Sequence, residues 1–169
     1  MFNTVLDYKF IQRNRNKTGR ESYLFEYIYK FFYHRGTGKR KYIVTIKEYS
    51  DKLFTVAFYA KVDNVDKYRI TTNQRAFGRI GGTVLDIMAT CITEYGVRAY
   101  GIEAAAMLYE ESDENTKRYR TYVKMLRRKI KTFSVLGIIE KSHIFVIQKD
   151  SIDFKDEIIE LYGNYFKET

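Results

Sequence analysis

Apolar and polar side chains alternate along much of the first third of the chain. In residues 23–33, aromatic side chains occupy every second position, and residues 42–48 and 53–61 alternate in the same way. A two-residue repeat predicts half-buried β-strands, and residues 68–72 are a candidate for a short fourth strand. Because these segments are joined by short links, we predict an antiparallel meander whose first hairpin has a basic tip at residues 34–41.

The apolar repeat changes to steps of three and four positions in the middle of the chain. Residues 76–95 have this spacing and are followed by Gly96, and residues 115–131 have it again. Such spacing predicts two amphipathic helices, the first ending at a glycine that tolerates left-handed backbone. Between them, the small apolar residues 97–105 predict a short buried strand.

The last part of the chain predicts a hairpin followed by a helix. Residues 135–139 and 144–149 are apolar segments around a polar turn, and the acidic residues 150–169 have helical spacing. The predicted fold class is α/β in the broad sense (α+β), with a mixed, largely antiparallel sheet flanked by helices. The length and the absence of proline predict one domain over residues 1–169, with the acidic C-terminal helix packed on it.

The net positive charge of the chain favours negatively charged binding partners. There are 30 Lys and Arg against 21 Asp and Glu, which gives a net charge of +9. An excess of positive charge favours nucleic acid, an acidic protein surface or a polyanionic small molecule. The single cysteine, Cys91, predicts no disulfide, and no segment has the apolar length of a membrane span or the pattern of a secretory leader. We therefore predict a cytoplasmic protein without a membrane partner.

The second predicted helix is basic throughout, because residues 117–131 contain neither Asp nor Glu. Such a helix can lie along a phosphate backbone or an acidic protein surface. The candidate partner-binding residues are Lys117, Arg118, Arg120, Lys124, Arg127 and Arg128 of this helix, with Lys39 and Arg40 of the hairpin tip as a second contact. The alternative interpretation is a solvated helix face, covered in part by the acidic C-terminal helix.

A glycine-rich stretch lies where the first helix is predicted to begin. It contains Gly78, Gly81 and Gly82, with Arg75 and Arg79 beside them. Free backbone N–H groups at a helix start can hold a phosphate, glycine lets the ligand approach closely, and arginine adds positive charge. The alternative interpretation is a flexible turn into a helix. The stretch is not a Walker motif, since no Gly-Lys-Ser/Thr follows it.

Other chemistry-bearing residues are few. Neither His34 nor His143 has metal-ligand spacing to Cys91 or to an acidic residue, so no metal site is predicted. Cys91 falls on the apolar stripe of the first helix and is interpreted as core. Glu103 stands in an otherwise apolar strand, where a carboxylate can have a raised pKa and act as a base. The alternative interpretation of Glu103 is a strand-end side chain that faces solvent.

The order of these elements over residues 53–149 resembles the GNAT superfamily of N-acetyltransferases. In that family a loop with an Arg or Gln at its first position and a Gly at its fourth binds the pyrophosphate of acetyl-CoA at a helix start. Arg75 and Gly78 match these positions, whereas the sixth position, Ile80, is Gly or Ala in the family.

The resemblance implies a GNAT-like fold and a set of residue roles. Asn115 and Tyr122 match an Asn and a Tyr on the next helix of the family, where the Tyr is often the general acid. The expected catalytic residues are therefore Tyr122 as acid, from the resemblance, and Glu103 as base, from its position in an apolar strand. The residues implied to hold acetyl-CoA are Arg75, Gly78, Arg79, Gly81 and Gly82.

Residues 83–88 and 116–122 also resemble divergent GNAT-like proteins of phage and of bacterial loci, which often lack the CoA-binding loop. Two functions are therefore expected. One is a GNAT-like scaffold without a cofactor, which binds nucleic acid or an acidic protein through its basic surface in phage–host conflict. The other is an acetyl-CoA-dependent N-acetyltransferase. The imperfect loop and the acid-free helix favour the first by a small margin.

Overall fold

A computed structural model describes residues 5–61, 74–104 and 110–168, apart from the side chains of residues 35 and 74–77. The strands are β1 Tyr8–Arg15, β2 Phe25–Arg35, β3 Gly38–Glu48, β4 Leu53–Ala60, β5 Ala99–Glu103, β6 Phe133–Ile138 and β7 His143–Gln148. The helices are α1 Gln74–Tyr95, α2 Lys117–Lys129 and α3 Lys155–Lys167. None of the helices in this part of the chain is long and apolar enough to cross a membrane.

The strands form one seven-stranded sheet in the order β1-β2-β3-β4-β5-β7-β6. Strands β4 and β5 are parallel, and the other neighbouring pairs are antiparallel. The predicted α+β class with a mixed, largely antiparallel sheet is thereby confirmed. The strand predicted at residues 68–72 lies outside the described residues.

Strand β1 is an edge strand that the sequence pattern did not predict. Six of its eight residues are exposed, and its register against β2 shifts between Phe10 and Gln12. An exposed strand with a bulge has no alternation of apolar and polar side chains, because neither face is fully buried. Its position was therefore set by pairing with β2 and not by its own pattern.

Helices α1 and α2 cover one face of the sheet. The core beneath them takes alternate residues of the strands, as the two-residue repeat predicted. Its sheet residues include Tyr27, Tyr29, Val44, Ile46, Phe54 and Tyr100, and its helix residues include Ile80, Ile87, Met88, Cys91, Tyr122 and Leu126. The first helix ends as predicted at Gly96, which has φ of +69°. The predicted core position of Cys91 is confirmed, since its side chain is fully buried.

Helix α3 packs on the opposite face of the sheet. Ile158, Tyr162 and Tyr165 share a second core with Leu53 and Phe145. Strand β6 shows that α3 and α2 lie on opposite sides of the sheet. Leu136 and Ile138 pack against the core under α3, whereas Gly137, between them, faces Tyr119 of α2. The acidic C-terminal helix therefore does not cover the basic helix, so this part of the alternative interpretation was wrong. Its apolar stripe, not its charge, decides where it packs.

Candidate functional site

The parallel strands β4 and β5 pair over a short distance and then separate. Their register joins Leu53 to Ala99, Phe54 to Tyr100 and Thr55 to Gly101. Beyond this point β4 continues to Ala60 and β5 to Glu103 without further pairing between them. The sheet therefore has an opening between two of its central strands.

A cavity of about 610 Å³ occupies this opening. It is lined by residues 55–59 of β4 and 101–103 of β5 in unbroken succession. Since successive residues of a strand face opposite sides of a sheet, a cavity that touches every one must run along the strand edges and reach both faces. On the helix side it is also lined by Gly81, Val84 and Met88 of α1 and by Arg118, Tyr122 and Met125 of α2.

Tyr122 brings a polar group to the apolar wall of the cavity. Its side chain is buried, and its ring lies 6.0 Å from that of Phe58, centre to centre. Burial raises the pKa of the Tyr122 phenol to about 12, although the charge of Arg118 acts in the opposite direction. The phenol therefore stays protonated at neutral pH, as a proton donor must.

Glu103 lies at the end of β5 on the wall of the same cavity. Its side chain is exposed, in agreement with the interpretation of a strand-end residue. Desolvation, and to a lesser extent the charge of Asp113, nevertheless raises the pKa of the Glu103 carboxyl. A carboxylate with a raised pKa is a better proton acceptor. Glu103 and Tyr122, the two expected catalytic residues, thus line one cavity but from opposite faces of the sheet: Glu103 shares the α3 face with Gly101, whereas Tyr122 lies on the α2 face.

A hydrogen-bonded junction holds α2 against the end of β5. The hydroxyl of Thr116 accepts the Tyr119 N–H at 3.1 Å and donates to the Ala104 carbonyl at 2.6 Å. The Thr116 N–H donates to the Ser142 hydroxyl at 2.9 Å. Thr116 is therefore the N-cap of α2 and also anchors that helix beside β5. Asn115, implied to lie on the helix, precedes it, is exposed and has φ of +46°.

The sequence predicted that the glycine-rich stretch opens α1, and this prediction was wrong. The helix begins at Gln74, so Gly78, Gly81 and Gly82 lie within it and are buried. Only the first four N–H groups of a helix lack partners inside it, and Gly78, Gly81 and Gly82 all lie beyond the fourth residue of the described helix. Glycine was an unreliable marker of the helix start because a buried helix face also accommodates it.

The residues implied to hold acetyl-CoA are not all in one place. Gly81 lines the cavity, and Arg79 is exposed. The side chain of Arg75 and residues 62–73, which precede α1, lie outside the described part of the chain. The structure therefore places one of the five implied residues, Gly81, on the cavity wall.

The predicted partner-binding residues fall on more than one surface. Arg118 lines the cavity, and the Arg120 guanidinium donates to the Asn115 carbonyl. Those exposed on α2 are Arg120, Lys124, Arg127 and Arg128, whereas Lys117 is half-buried. At the hairpin, Lys39 and Arg40 are exposed, and the Lys39 ammonium lies 4.0 Å from the ring centre of Phe32. As consecutive residues of β3, Lys39 and Arg40 face opposite sides of the sheet, so they do not both lie on the face that α2 covers.

Sequence reasoning missed the strand residues that border the opening. Residues 55–59 read as an ordinary strand, and nothing in their pattern shows that the neighbouring strand diverges. Arg118 was predicted only as a partner contact, although it lies in the cavity. Within residues 5–61, 74–104 and 110–168, no group of His, Cys, Asp and Glu could hold a metal ion.

No family model, curated protein or solved structure matches this chain.

Proposed function

We propose that this protein is an acetyl-CoA-dependent N-acetyltransferase with a GNAT-like fold. The observation that carries the proposal is the cavity between β4 and β5, which has Tyr122 and Glu103 on its walls. The observed order of meander, helix, strand, helix and closing hairpin is also the order on which the resemblance to that superfamily rests.

The opening suits a narrow chain that carries amide groups. Beyond Thr55 and Gly101, the facing edges of β4 and β5 no longer pair with each other, so backbone groups there can bond an inserted chain. The pantetheine arm of CoA is such a chain, and it ends in the thioester that supplies an activated acetyl group. Arg118 on the cavity wall, together with Arg79 and Arg75, would offset phosphate charge.

The two ionisable side chains divide the proton transfers. Glu103 accepts a proton from the attacking amine, directly or through water, as the new carbon–nitrogen bond forms. Tyr122 donates its phenolic proton to the sulfur as the carbon–sulfur bond breaks. The raised pKa of Glu103 suits its role as a base, and the Tyr122 phenol is protonated at neutral pH with or without its own shift.

Isothermal titration of acetyl-CoA tests the binding step. We expect micromolar binding to the wild-type chain and, after Ala57→Trp, affinity lower by about tenfold or more. Ala57 lines the cavity yet is exposed, so a larger side chain can enter the opening without disturbing the core. The matched control is Ala89→Trp, at an exposed position of α1 outside the cavity lining. Absence of binding at millimolar acetyl-CoA would refute the proposal.

The chemical step is tested by Tyr122→Phe. We expect unchanged acetyl-CoA affinity and thioester turnover reduced about 10²- to 10⁴-fold in an amine-acceptor screen. Tyr119→Phe is the control, because Tyr119 is buried on the same helix but does not line the cavity. Full turnover in the Tyr122 variant would remove its role as the acid.

A second candidate function is binding of nucleic acid or an acidic protein through α2, which would suit a scaffold in phage–host conflict. The observation in its favour is that Arg120, Lys124, Arg127 and Arg128 are exposed on a helix that α3 does not cover. Charge reversal by Arg127→Glu and Arg128→Glu should abolish salt-sensitive binding while acetyl-CoA affinity is unchanged. Retention of binding by this double variant would exclude the α2 surface as the contact.

A further inference from the structure

Lysine side chains are aligned across the first four strands of the sheet. Lys9 of β1 is directly opposite Lys30 of β2. On the next pair of strands, the Lys61 N–H donates to the Lys41 carbonyl at 2.9 Å, which continues the β3–β4 register so that Lys41 and Lys61 are opposite each other. Opposite residues of antiparallel strands share a face, and Lys30 is a diagonal neighbour of Lys41. Lys39, two residues before Lys41, is on this face as well.

This alignment opposes folding. Like charges directly opposite each other on paired strands are destabilising. The ion pairs found within the described ranges are Lys47–Glu21 and Lys52–Glu48, and none of the five aligned lysines takes part in one. Desolvation and then the charges of Lys61 and Lys30 lower the pKa of Lys41. The aligned lysines therefore form a cationic cluster without an ion pair to an acidic side chain of the described residues.

The lysine face is open to solvent. It is the face on which α3 lies, but α3 packs over residues near β5 and β7, such as Ala99 and Phe145. Over the meander, Lys9, Lys39 and Lys61 are exposed, and Lys30 and Lys41 are half-buried. We call these five side chains the lysine face. It is on the opposite side of the sheet from α2 and its basic residues.

Two aromatic side chains lie among the lysines. Phe32 is opposite Lys41 on β2, and Tyr59 of β4 is two residues before Lys61. Both side chains are half-buried, and the Lys39 ammonium lies 4.0 Å from the centre of the Phe32 ring, so a base that stacks on that face of the ring displaces Lys39. Cations that follow a phosphate backbone, together with rings on which bases stack, are the features that bind single-stranded nucleic acid. An acidic peptide would use the cations but would have no use for the rings.

We propose that the lysine face is a binding surface for single-stranded nucleic acid. Strands are spaced about 4.8 Å apart, so the lysines of β1 to β4 span roughly 15 Å, which is enough to contact several consecutive phosphates. Phosphates between Lys9 and Lys30 and between Lys41 and Lys61 replace the repulsion within each pair by attraction. This surface adjoins the cavity at Tyr59, which lines both, and is separate from the α2 surface.

The experiment is a fluorescence anisotropy titration with a labelled oligothymidylate of about 12 nucleotides, from about 50 to 300 mM salt. The test variant carries Lys9→Gln, Lys30→Gln and Lys61→Gln. The control variant carries Lys17→Gln, Lys149→Gln and Lys155→Gln, which removes the same charge from exposed positions outside both the lysine face and the α2 surface. Thermal unfolding accompanies both, and the lysine variant should be at least as stable as wild type because it loses repulsion.

We expect the lysine variant to bind at least about tenfold more weakly and to lower the slope of log affinity against log salt by about 2. The control variant should keep most of the affinity. Equal losses in both variants, or a loss confined to the control, would overturn the assignment to this face. Absence of oligonucleotide binding at low salt, or tighter binding of a polyglutamate peptide of equal charge, would overturn the nucleic-acid partner. None of these outcomes depends on acetyl-CoA binding, which is measured separately.

Discussion

The ring of Tyr162 occupies the space that a side chain at position 101 would need. A Cβ atom on Gly101 would lie 2.5 Å from Tyr162 Cδ1. Because Gly101 has no side chain, the Tyr162 hydroxyl reaches the boundary of β4 and β5, where it accepts the Phe54 N–H at 3.1 Å. The same oxygen lies 2.9 Å from the carbonyls of Phe54 and Ala99, to which it can donate. This contact is next to the point at which the two strands separate.

We therefore expect Gly101→Ala to destabilise the protein. The added methyl group would overlap the Tyr162 ring, and forcing extra volume into a packed core costs about 1–3 kcal/mol. Gly163→Ala on the same helix is the control, since nothing lies within 4 Å of the position of its Cβ atom. That change should be neutral or stabilising by up to about 1 kcal/mol. Urea unfolding measures both, and equal effects would contradict the packing argument.

Tyr162→Phe should also lower the free energy of unfolding. Removal of the hydroxyl leaves the buried Phe54 N–H without its partner, at a cost of about 1–3 kcal/mol. The control is Tyr49→Phe, because the buried Tyr49 hydroxyl has no hydrogen-bond partner within the described residues, although Thr55 is close to it. Chemical denaturation should show little loss, or a gain, for that variant. A larger loss at Tyr49 than at Tyr162 would be the opposite of this expectation.

Thr116→Ala is expected to weaken the junction between α2 and β5. It removes the cap of the Tyr119 N–H and the hydrogen bond to Ala104, which together should cost about 1–3 kcal/mol. Thr116→Ser keeps the hydroxyl and should retain most of the stability. Thermal and urea unfolding of the pair separate the hydroxyl from the methyl group. If both substitutions have the same effect, the hydrogen bonds are not the cause.

The stability of the protein should depend on pH through His143. Its ring lies 4.7 Å from that of Phe166, and desolvation followed by the charge of Lys141 lowers its pKa, against the opposing charge of Asp113. Below a pH of 6.5, the unfolded chain then binds a proton at this residue more readily than the folded chain. The contribution of His143 to the free energy of unfolding is therefore fully present above this pH. It decreases as the pH falls from there towards the lower pKa of the folded state.

Urea unfolding at about pH 7.5 and about pH 5 measures this effect. His143→Gln should reduce the loss of stability between the two pH values, because glutamine does not titrate. His34→Gln, at the exposed histidine of the hairpin, is the control and should leave the loss as in wild type. An unchanged loss in the His143 variant would show that this residue does not cause the effect.

The residues of the candidate site differ in how far the sequence predicted them. Tyr122 could be proposed beforehand because it matched a resemblance to known acetyltransferases, and Glu103 because it stands in an otherwise apolar strand. That both residues line one cavity could not be predicted from the sequence, because the cavity depends on the separation of β4 from β5. The glycine-rich stretch was placed at the helix start from composition, whereas the helix begins earlier, at Gln74. Glycine permits a loop but does not require one.

Local periodicity determined most of the elements. The alternation in residues 42–48 and 53–61 predicted β3 and β4, and the three–four spacing in residues 76–95 predicted α1, because each repeat reflects which side of an element is buried. What only the tertiary structure decided is how these elements meet. The Tyr162 hydroxyl bonds Phe54 across 108 positions of the chain, and the lysines align through strand register. Such contacts join residues far apart in sequence, so no local pattern of side chains contains them.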